Sequence, residues 1–175
     1  AVVRPRMPET VQTGVDGLDS ILGGGIVNNA TVLVSGNPGT GKSLFGINYL
    51  YSGVIDHGER GIYISFEENA ADIRMAAESI GFDRFGELVD DDEIKIYDKR
   101  EMLQDGNFTE TMDRLLEVFT ESEYDRLVLD SLTMFQLFFE DEREKRTYLL
   151  KFSDILKQHG LTSLLINEQG AVFPE

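Results

Sequence analysis

Near the start of the chain lies a segment with the residue types and spacing of a phosphate-binding loop. It reads Gly36-Asn37-Pro38-Gly39-Thr40-Gly41-Lys42-Ser43. Glycines let the backbone curl around an anion with its N–H groups pointing inward, and the helix predicted to begin near Lys42 adds its positive dipole end. In such a loop Lys42 reaches the β- and γ-phosphates of a nucleotide, and the Ser43 hydroxyl ligates Mg²⁺. The segment follows a predicted strand and opens a predicted helix, which is the context that this motif requires.

A second candidate is Asp130, which follows the apolar run Leu127–Leu129. An apolar strand ending in aspartate is typical of the strand that holds Mg²⁺ or a metal-bound water opposite a phosphate loop. Many buried strands also end in aspartate at a turn, so the pattern by itself is weak. Together with the phosphate loop upstream, it favours a metal-binding role for Asp130 alongside Ser43.

Two adjacent glutamates, Glu67 and Glu68, follow the second predicted strand. A carboxylate at this place could polarise a water molecule for in-line attack on a γ-phosphate. Both residues also precede a predicted helix that begins near Ala70, and acidic residues are favourable at any helix N-terminus. Spacing alone leaves the catalytic and the structural roles equally open.

Asn167 and Glu168 end the last predicted strand. The Asn167 side chain could contact the γ-phosphate of a bound nucleotide. The alternative is that both residues form a solvated strand end without a ligand.

Five strands and four helices are predicted to position these residues. The strands, which are rich in β-branched residues, are Thr31–Ser35, Gly61–Phe66, Glu93–Tyr97, Arg126–Leu129 and Leu161–Ile166. The helices are Lys42–Ile55, Ala70–Ile80, Phe108–Thr120 and Arg143–His159. Their alternation predicts an α/β fold with a mostly parallel sheet, right-handed crossovers and helices on both faces. Ligands of such sheets bind beyond the carboxyl ends of the strands, where the candidate residues fall.

Local signals predict how several helices begin and end. Asn107, with Glu110 three residues later, forms a capping-box-like start, and Gly160 is expected to be left-handed after the last helix. The glycine-rich segment Gly14–Gly25 predicts a short helix that is capped by Asp16 and stopped by glycines. Because no Lys or Ser follows its three consecutive glycines, this segment is interpreted as structural.

The composition narrows the class of protein. The chain has 175 residues without a repeat, a low-complexity tract or a linker, which predicts one domain spanning residues 1–175. Thirty-two acidic against 16 basic residues give a net charge of −16, which argues against a nucleic-acid-binding surface. The absence of cysteine excludes disulfides, thiol nucleophiles and cysteine-ligated zinc.

Hydropathy and charge also indicate the environment of the protein. No apolar run approaches the roughly 18 residues of a membrane span, and the first residues do not resemble a signal peptide. We therefore expect a soluble, cytoplasmic protein that has no contact with membranes. An acidic, lysine-poor surface favours a halophilic archaeon as the source, and an ordinary acidic cytoplasmic protein is the alternative.

Several segments, taken in order, resemble the KaiC-like ATPases of the RecA superfamily. Besides the phosphate loop they are Thr13–Asp19, Leu22–Ile26, Ser65–Glu68, Ile80–Asp83, Leu129–Leu132 and Leu164–Glu168. The resemblance covers nearly the whole chain and implies a RecA-like P-loop NTPase core. It also implies ATP and Mg²⁺ bound between the subunits of a homo-oligomeric ring, usually a hexamer. In that family Glu67 and Glu68 would be the catalytic carboxylates, acting with Lys42, and Asp130 would be the metal residue.

The chain departs from the family pattern at two places. The family usually has a Pro-basic-Gly turn before the first strand, where this chain has Val27–Ala30. Family domains also continue for several strands beyond the position of Asn167 and Glu168, and they carry there a basic residue that reaches a neighbour's γ-phosphate. We therefore expect a truncated domain whose phosphate-loop strand lies at a sheet edge.

The resemblance makes a slow, Mg²⁺-dependent ATPase the leading functional hypothesis. Hydrolysis would act as a switch that changes contacts within the ring, or with an unidentified protein partner, in signal transduction or regulation. A nucleotide-binding scaffold with negligible turnover is the alternative, and only a turnover measurement separates the two. A recombinase-like DNA-binding ATPase is disfavoured by the net charge and by the Phe66-Glu67-Glu68 pattern.

Overall fold

The computed structural model describes residues 9–37, 39, 41–102, 108–121, 123–133, 137 and 139–168. Three residues singled out from the sequence, Pro38, Thr40 and Asn107, lie outside these ranges. The predicted phosphate contacts of Pro38 and Thr40 and the predicted cap at Asn107 therefore stay predictions.

Seven strands and seven helices are formed by the described residues. The strands are β1 Thr10–Val11, β2 Ile26–Val27, β3 Thr31–Gly36, β4 Gly61–Ser65, β5 Ile94–Tyr97, β6 Arg126–Asp130 and β7 Thr162–Glu168. The helices are α1 Asp16–Ile21, α2 Lys42–His57, α3 Ala70–Ser79, α4 Phe85–Asp90, α5 Lys99–Met102, α6 Phe108–Glu121 and α7 Glu142–Gln158. None of these helices is long and apolar enough to cross a membrane.

Strands β3 to β7 form a parallel sheet in the order β3-β7-β6-β4-β5, and β1 and β2 form a separate antiparallel pair. The predicted α/β fold is therefore confirmed. Within the described residues β3 lies at one edge, which is the position predicted for the phosphate-loop strand. The register aligns the carboxyl ends of the strands, because Ser65 pairs with Asp130 and Gly36 pairs with Glu168.

Apolar residues from alternate strand positions form one core on each face of the sheet. On one face Ile62, Leu127 and their strand neighbours pack against α6 and α7. On the other face Tyr63 and Val128 pack against α2 and α3. Because side chains alternate between faces, Asp130 lies on the same face as Val128, toward α2. The fold thus brings the end of β6 to the beginning of α2.

Most differences from the sequence prediction concern short elements. The predicted strands and helices are all present, with ends shifted by at most two residues. The two-residue strands β1 and β2 and the short helices α4 and α5 were not predicted, because periodicity is undetectable over so few residues. Gly160 has φ +70°, as expected after a helix.

The predicted side-chain cap of the first helix is wrong. Asp16 is the first helical residue, and Val15 occupies the cap position without a side-chain hydrogen bond. The carboxylate that satisfies nearby backbone groups belongs to Asp19, which accepts hydrogen bonds from the N–H groups of Thr13 and Gly14 at 2.8 and 3.1 Å. A carboxylate inside the helix thus replaces the expected cap by reaching back to the preceding turn.

Candidate functional site

The described residues of the loop between β3 and α2 have a conformation that fits a phosphate cradle. Gly39 and Gly41 have φ values of +82° and +84°, a left-handed conformation that glycine adopts without steric cost. The first turn of α2 contains no acidic residue and receives no side-chain cap at Gly41. Lys42 is buried, and its Nζ donates a 2.7 Å hydrogen bond to the carbonyl oxygen of Asn37 across the loop. The N–H groups at the start of α2 and the Lys42 ammonium together favour a bound anion.

Asp130, at the end of β6, connects the phosphate loop to the sheet. Its Oδ2 accepts hydrogen bonds from Ser43 Oγ at 2.8 Å and from the Tyr63 hydroxyl at 2.6 Å. The side chains of Asp130 and Tyr63 are 3% and 0% exposed, so this carboxylate lies in a largely water-free position. The sequence predicted Ser43 and Asp130 as partners, and the structure brings them together. Tyr63 is a third member that the sequence did not indicate.

Burial is the main cause that raises the pKa of the Tyr63 hydroxyl well above its ordinary value. The negative charge of Asp130 and its hydrogen bond with Tyr63 raise that pKa further. The phenol therefore stays protonated across the physiological range of pH. It remains a donor to Asp130 throughout that range.

Glu67 and Glu68 lie on the turn between β4 and α3, and they are exposed. Glu67 Oε1 accepts a 3.0 Å hydrogen bond from the hydroxyl of Ser131, the residue after Asp130. The backbone N–H groups of both glutamates donate to Ser65 Oγ, at 3.3 and 3.0 Å. Within the described part of the chain, the Glu68 carboxylate accepts no hydrogen bond from a side chain. Of the two carboxylates, Glu67 is therefore the oriented one.

The pKa values of both glutamates are raised. For Glu67 partial burial is the largest cause of the raised pKa, and the hydrogen bond from Ser131 lowers the pKa in opposition. The charges of neighbouring carboxylates, first Glu168 and then Asp130, raise the pKa further. For Glu68 partial burial again comes first, followed by the charges of Asp130 and Asp72. The two glutamates and Asp130 thus form one field of negative charge at the carboxyl end of the sheet. Such a field favours a cation or a proton there.

Asn167 lies at the carboxyl end of β7, between the phosphate-loop strand and β6. Its Oδ1 accepts a 3.4 Å hydrogen bond from Thr133 Oγ1, and the same hydroxyl accepts the N–H of Glu168 at 3.3 Å. Asn167 is half-buried. The predicted contact of Asn167 with a bound phosphate stays a prediction.

The loop that follows β5 braces the turn carrying the glutamates. Asp98 is buried and accepts hydrogen bonds from the N–H groups of Ala70, Arg100 and Glu101, at 3.0, 3.0 and 3.3 Å. Burial by itself would raise the pKa of Asp98, but these three N–H donors lower it below its ordinary range. Asp98 thereby joins the first residue of α3 to the beginning of α5.

A cavity of about 810 Å³ adjoins the phosphate loop along the edge of β3. Gly36, Asn37 and Lys42 form its polar end, and apolar side chains from α1, β3 and α2 form most of the remaining lining. Neither glutamate, nor Asp130, nor Asn167 lines it. The carboxylates therefore lie outside this cavity, and the site is identified by its side-chain geometry.

The residues at the site suit Mg²⁺ held together with a nucleotide better than a metal ion held by protein alone. No cluster of three or more His, Cys, Asp or Glu in the described ranges could hold a metal ion. Magnesium in nucleotide sites usually has one or two protein ligands and is otherwise coordinated by phosphate oxygens and water. The Ser43 hydroxyl and the Asp130 carboxylate, 2.8 Å apart, supply that number of oxygen donors.

Comparison with known protein families identifies the chain. The family model described as "ATPase: KaiC" matches residues 11–172, which span every strand and helix except the first residue of β1. The chain belongs to the KaiC ATPase family. Membership implies nucleotide binding and suggests ATPase activity.

Individual relatives agree with this assignment. A UPF0273 protein of Pyrococcus furiosus is 31% identical over 174 residues, which cover 93% of this chain and 69% of that protein. The circadian clock oscillator protein KaiC of Parathermosynechococcus lividus is 32% identical over 164 residues, 90% of this chain. The match spans 30% of the length of that clock protein.

A solved KaiC-like structure confirms the RecA-type fold. The crystal structure of a KaiC-like protein from the hyperthermophilic archaeon Pyrococcus horikoshii superposes with a TM-score of 0.80 at 32% sequence identity. The superposition covers 93% of this chain and 72% of that one. The five-stranded parallel sheet and its flanking helices are thus the architecture of a KaiC domain.

Sequence reasoning missed the residues that orient the others. Tyr63 reads as one more apolar position of a buried strand. Ser131 lies in the segment Leu129–Leu132 that carries the family resemblance, but no role was predicted for it, and Thr133 follows without a recognisable pattern. Their roles depend on the order β7-β6-β4, which brings the ends of these strands together and is not encoded in any local motif. The cap formed by Asp98 was weakly indicated by the sequence, because aspartate is a favoured residue just before a helix.

Proposed function

We propose that this KaiC-family domain binds ATP with Mg²⁺ at the phosphate loop and hydrolyses it slowly, acting as a nucleotide-dependent switch. The observation that carries the proposal is the meeting of three elements at the carboxyl ends of the strands. Ser43 at the start of α2 is hydrogen-bonded to Asp130, and Ser131, the next residue, holds Glu67. A phosphate site, a metal site and an oriented carboxylate are the parts that phosphoryl transfer to water requires.

The binding of ATP is assigned to the loop Gly36–Ser43 and the start of α2. The N–H groups there would surround the β- and γ-phosphates, and the Lys42 ammonium would neutralise part of their charge. Ser43 and Asp130 would hold Mg²⁺, which neutralises phosphate charge when bound. Asn167 would donate its amide N–H to the γ-phosphate from β7.

Hydrolysis is assigned to Glu67, with Glu68 in a supporting role. A carboxylate fixed by a hydrogen bond can accept a proton from an attacking water molecule, and its raised pKa makes it a better base near neutral pH than an ordinary glutamate. Glu68 would contribute charge, because its negative field raises the pKa of Glu67.

Slow turnover follows from the exposure of this carboxylate pair. Electrostatic stabilisation of a transition state is strongest in a site from which water is excluded. Glu67 and Glu68 are both exposed, so the γ-phosphate side is open to solvent in one subunit. We propose that a second copy of the chain covers this side in a homo-oligomeric ring, and that nucleotide state changes the contacts between subunits or with a protein partner.

The substitution Lys42→Ala tests the binding site. It removes a charge-assisted contact with the phosphates, and we expect ATP affinity measured by calorimetry to fall by roughly tenfold or more. Lys157→Ala is the matched control, because Lys157 is an exposed lysine in the last turn of α7. The wild-type protein should also release phosphate from ATP, at less than the ~10 s⁻¹ that is typical of enzymes.

Two results would contradict the proposal. Unchanged affinity in Lys42→Ala would exclude the phosphate loop as the binding site. Tight ATP binding without any phosphate release above a Lys42→Ala blank would exclude the ATPase and leave a nucleotide-binding scaffold.

A further inference from the structure

Tyr63 is a buried polar residue to which the proposed function assigns no contact with the nucleotide or the metal. It lies in the middle of β4, is 0% exposed, and packs in the core between the sheet and α2. Its hydroxyl donates a 2.6 Å hydrogen bond to Asp130 Oδ2. Burying a phenol hydroxyl costs free energy unless it is hydrogen-bonded, and here the partner is the carboxylate of the metal site.

We propose that Tyr63 is a positioning residue of the Mg²⁺ site, which fixes the orientation of the Asp130 carboxylate from beneath. The inference rests on the proposed function, because it takes Ser43 and Asp130 as the residues that hold the metal. Tyr63 touches neither nucleotide nor metal and acts only through Asp130.

The division of hydrogen bonds between the two oxygens of Asp130 supports this role. Oδ2 accepts from both Ser43 and Tyr63, at 2.8 and 2.6 Å, whereas Oδ1 accepts no hydrogen bond from the described residues. Two donors on one oxygen hold the carboxylate plane and leave the other oxygen available for a cation or its water. If Ser43 were the sole hydrogen-bond donor, the Asp130 carboxylate could rotate about its Cβ–Cγ bond.

The alignment of the strands explains why β4 supplies the donor. Ser65 of β4 pairs with Asp130, and Tyr63 pairs with Val128, so Tyr63 is the diagonal neighbour of Asp130 on the face toward α2. The 2.6 Å hydrogen bond shows that the Tyr63 hydroxyl reaches Asp130 from this position. A phenylalanine at position 63 would fill nearly the same space but would leave Asp130 with one donor fewer.

The test is the Mg²⁺ dependence of nucleotide binding in Tyr63→Phe. Binding of a fluorescent ATP analogue would be titrated with MgCl₂, and also measured in EDTA, for the wild-type protein and the variant. We expect the Mg²⁺ concentration for half-maximal binding to rise by about 10- to 150-fold, as for loss of one hydrogen bond to a charged group. Binding in EDTA should be unchanged, because the phosphate loop is untouched.

Tyr49→Phe is the matched control. Tyr49 is also 0% exposed and belongs to the same core, but its hydroxyl donates to the carbonyl oxygen of Thr162 at 2.8 Å. Loss of the Tyr49 hydroxyl removes a buried phenol hydrogen bond without changing the donors to Asp130. We expect this variant to retain the Mg²⁺ requirement of the wild-type protein, even where its melting temperature falls.

The outcomes separate this inference from the proposed function. A wild-type protein that binds the analogue equally with Mg²⁺ and with EDTA would overturn the metal site and the role of Tyr63 with it. A Mg²⁺-dependent wild-type protein whose Tyr63→Phe variant has the same half-saturation would overturn the role of Tyr63 alone. Equal shifts in Tyr63→Phe and Tyr49→Phe would also overturn it, because they would reflect general loosening of the core.

Discussion

Glu67 and Glu68 are adjacent, but the structure predicts different consequences when each is neutralised. Glu67 is held by Ser131 at 3.0 Å, whereas the Glu68 carboxylate has no side-chain donor among the described residues. Loss of a positioned general base costs on the order of 10²–10⁴-fold in rate, or roughly 3–5 kcal/mol in the activation free energy. We therefore expect Glu67→Gln to lower kcat by that factor, and Glu68→Gln to lower it by less than about tenfold.

The hydrogen bond from Ser131 determines how much of kcat we expect to depend on the orientation of Glu67. A hydrogen bond at 3.0 Å to a partly exposed carboxylate contributes about 1–1.5 kcal/mol, which corresponds to a loss of about 5- to 13-fold in kcat for Ser131→Ala. Because Ser131 acts through Glu67, the double variant Ser131→Ala, Glu67→Gln should be no slower than Glu67→Gln alone.

The assay is phosphate release at saturating Mg²⁺ and ATP, with ATP affinity measured in parallel. A group that acts in the transition state changes kcat and leaves affinity nearly intact. Asp72→Asn is the matched control, because Asp72 is an exposed acid in the first turn of the same helix, α3. Hydrolysis by Glu67→Gln at the wild-type rate would refute the reasoning and leave Glu67 as a helix N-terminal charge. A larger loss in Glu68→Gln would show that hydrogen bonding to Ser131 does not select the base.

The pH dependence of hydrolysis gives the same prediction a second test. The base must be ionised to accept a proton, so kcat should fall as the pH drops through the pKa of Glu67. Partial burial and neighbouring carboxylates raise that pKa, and the fall should therefore begin at a higher pH than for an ordinary glutamate. Glu68→Gln removes one of these charges and should lower the pKa of Glu67. The fall in kcat should therefore occur at a lower pH, which a pH–rate profile would detect.

Two further predictions concern stability and assembly. Asp98→Ala removes the acceptor of three backbone N–H groups and should cost about 1–2 kcal/mol of unfolding free energy in urea titrations. Since the pKa of Asp98 is lowered in the folded state, the loss of unfolding free energy should be complete above about pH 4 and should shrink below it. The control Asp141→Ala removes an exposed cap that accepts one backbone hydrogen bond, and it should cost less unfolding free energy. Light scattering should show Mg²⁺-ATP shifting the protein toward larger assemblies. A monomer with and without nucleotide would contradict the ring.

The fold was predictable because long elements carry strong periodic signals. Strands β3 to β7 and helices α2, α3, α6 and α7 were all predicted, and alternation of strands with helices dictated a parallel sheet. The short helices α4 and α5 were missed, because a helix of four to six residues depends on tertiary contacts and caps such as Asp98. The halophilic origin inferred from charge and the single-domain organisation stay predictions.

The site was predictable only where the chemistry lies in a local motif. The phosphate loop is proposed to bind through backbone groups and one lysine, so consecutive residues contain all the information that the prediction needs. The glutamate pair was ambiguous in the sequence, since acids favour helix N-termini for reasons unrelated to catalysis. The hydrogen bond from Ser131 to Glu67 crosses from β6 to β4, and only the strand order reveals it.

The end of β6 links the two halves of the proposed chemistry. Asp130 joins Ser43 and Tyr63, while the next residue, Ser131, joins Glu67. Neighbouring residues at the end of one strand thus contact both the carboxylate proposed to bind the metal and the carboxylate proposed as the base. A displacement of this strand end would move both groups together, whereas the side-chain changes Tyr63→Phe and Ser131→Ala would disturb them separately. If nucleotide state is transmitted through this point, Tyr63→Phe should raise the Mg²⁺ concentration needed for assembly as well as for binding, and Ser131→Ala should alter hydrolysis alone.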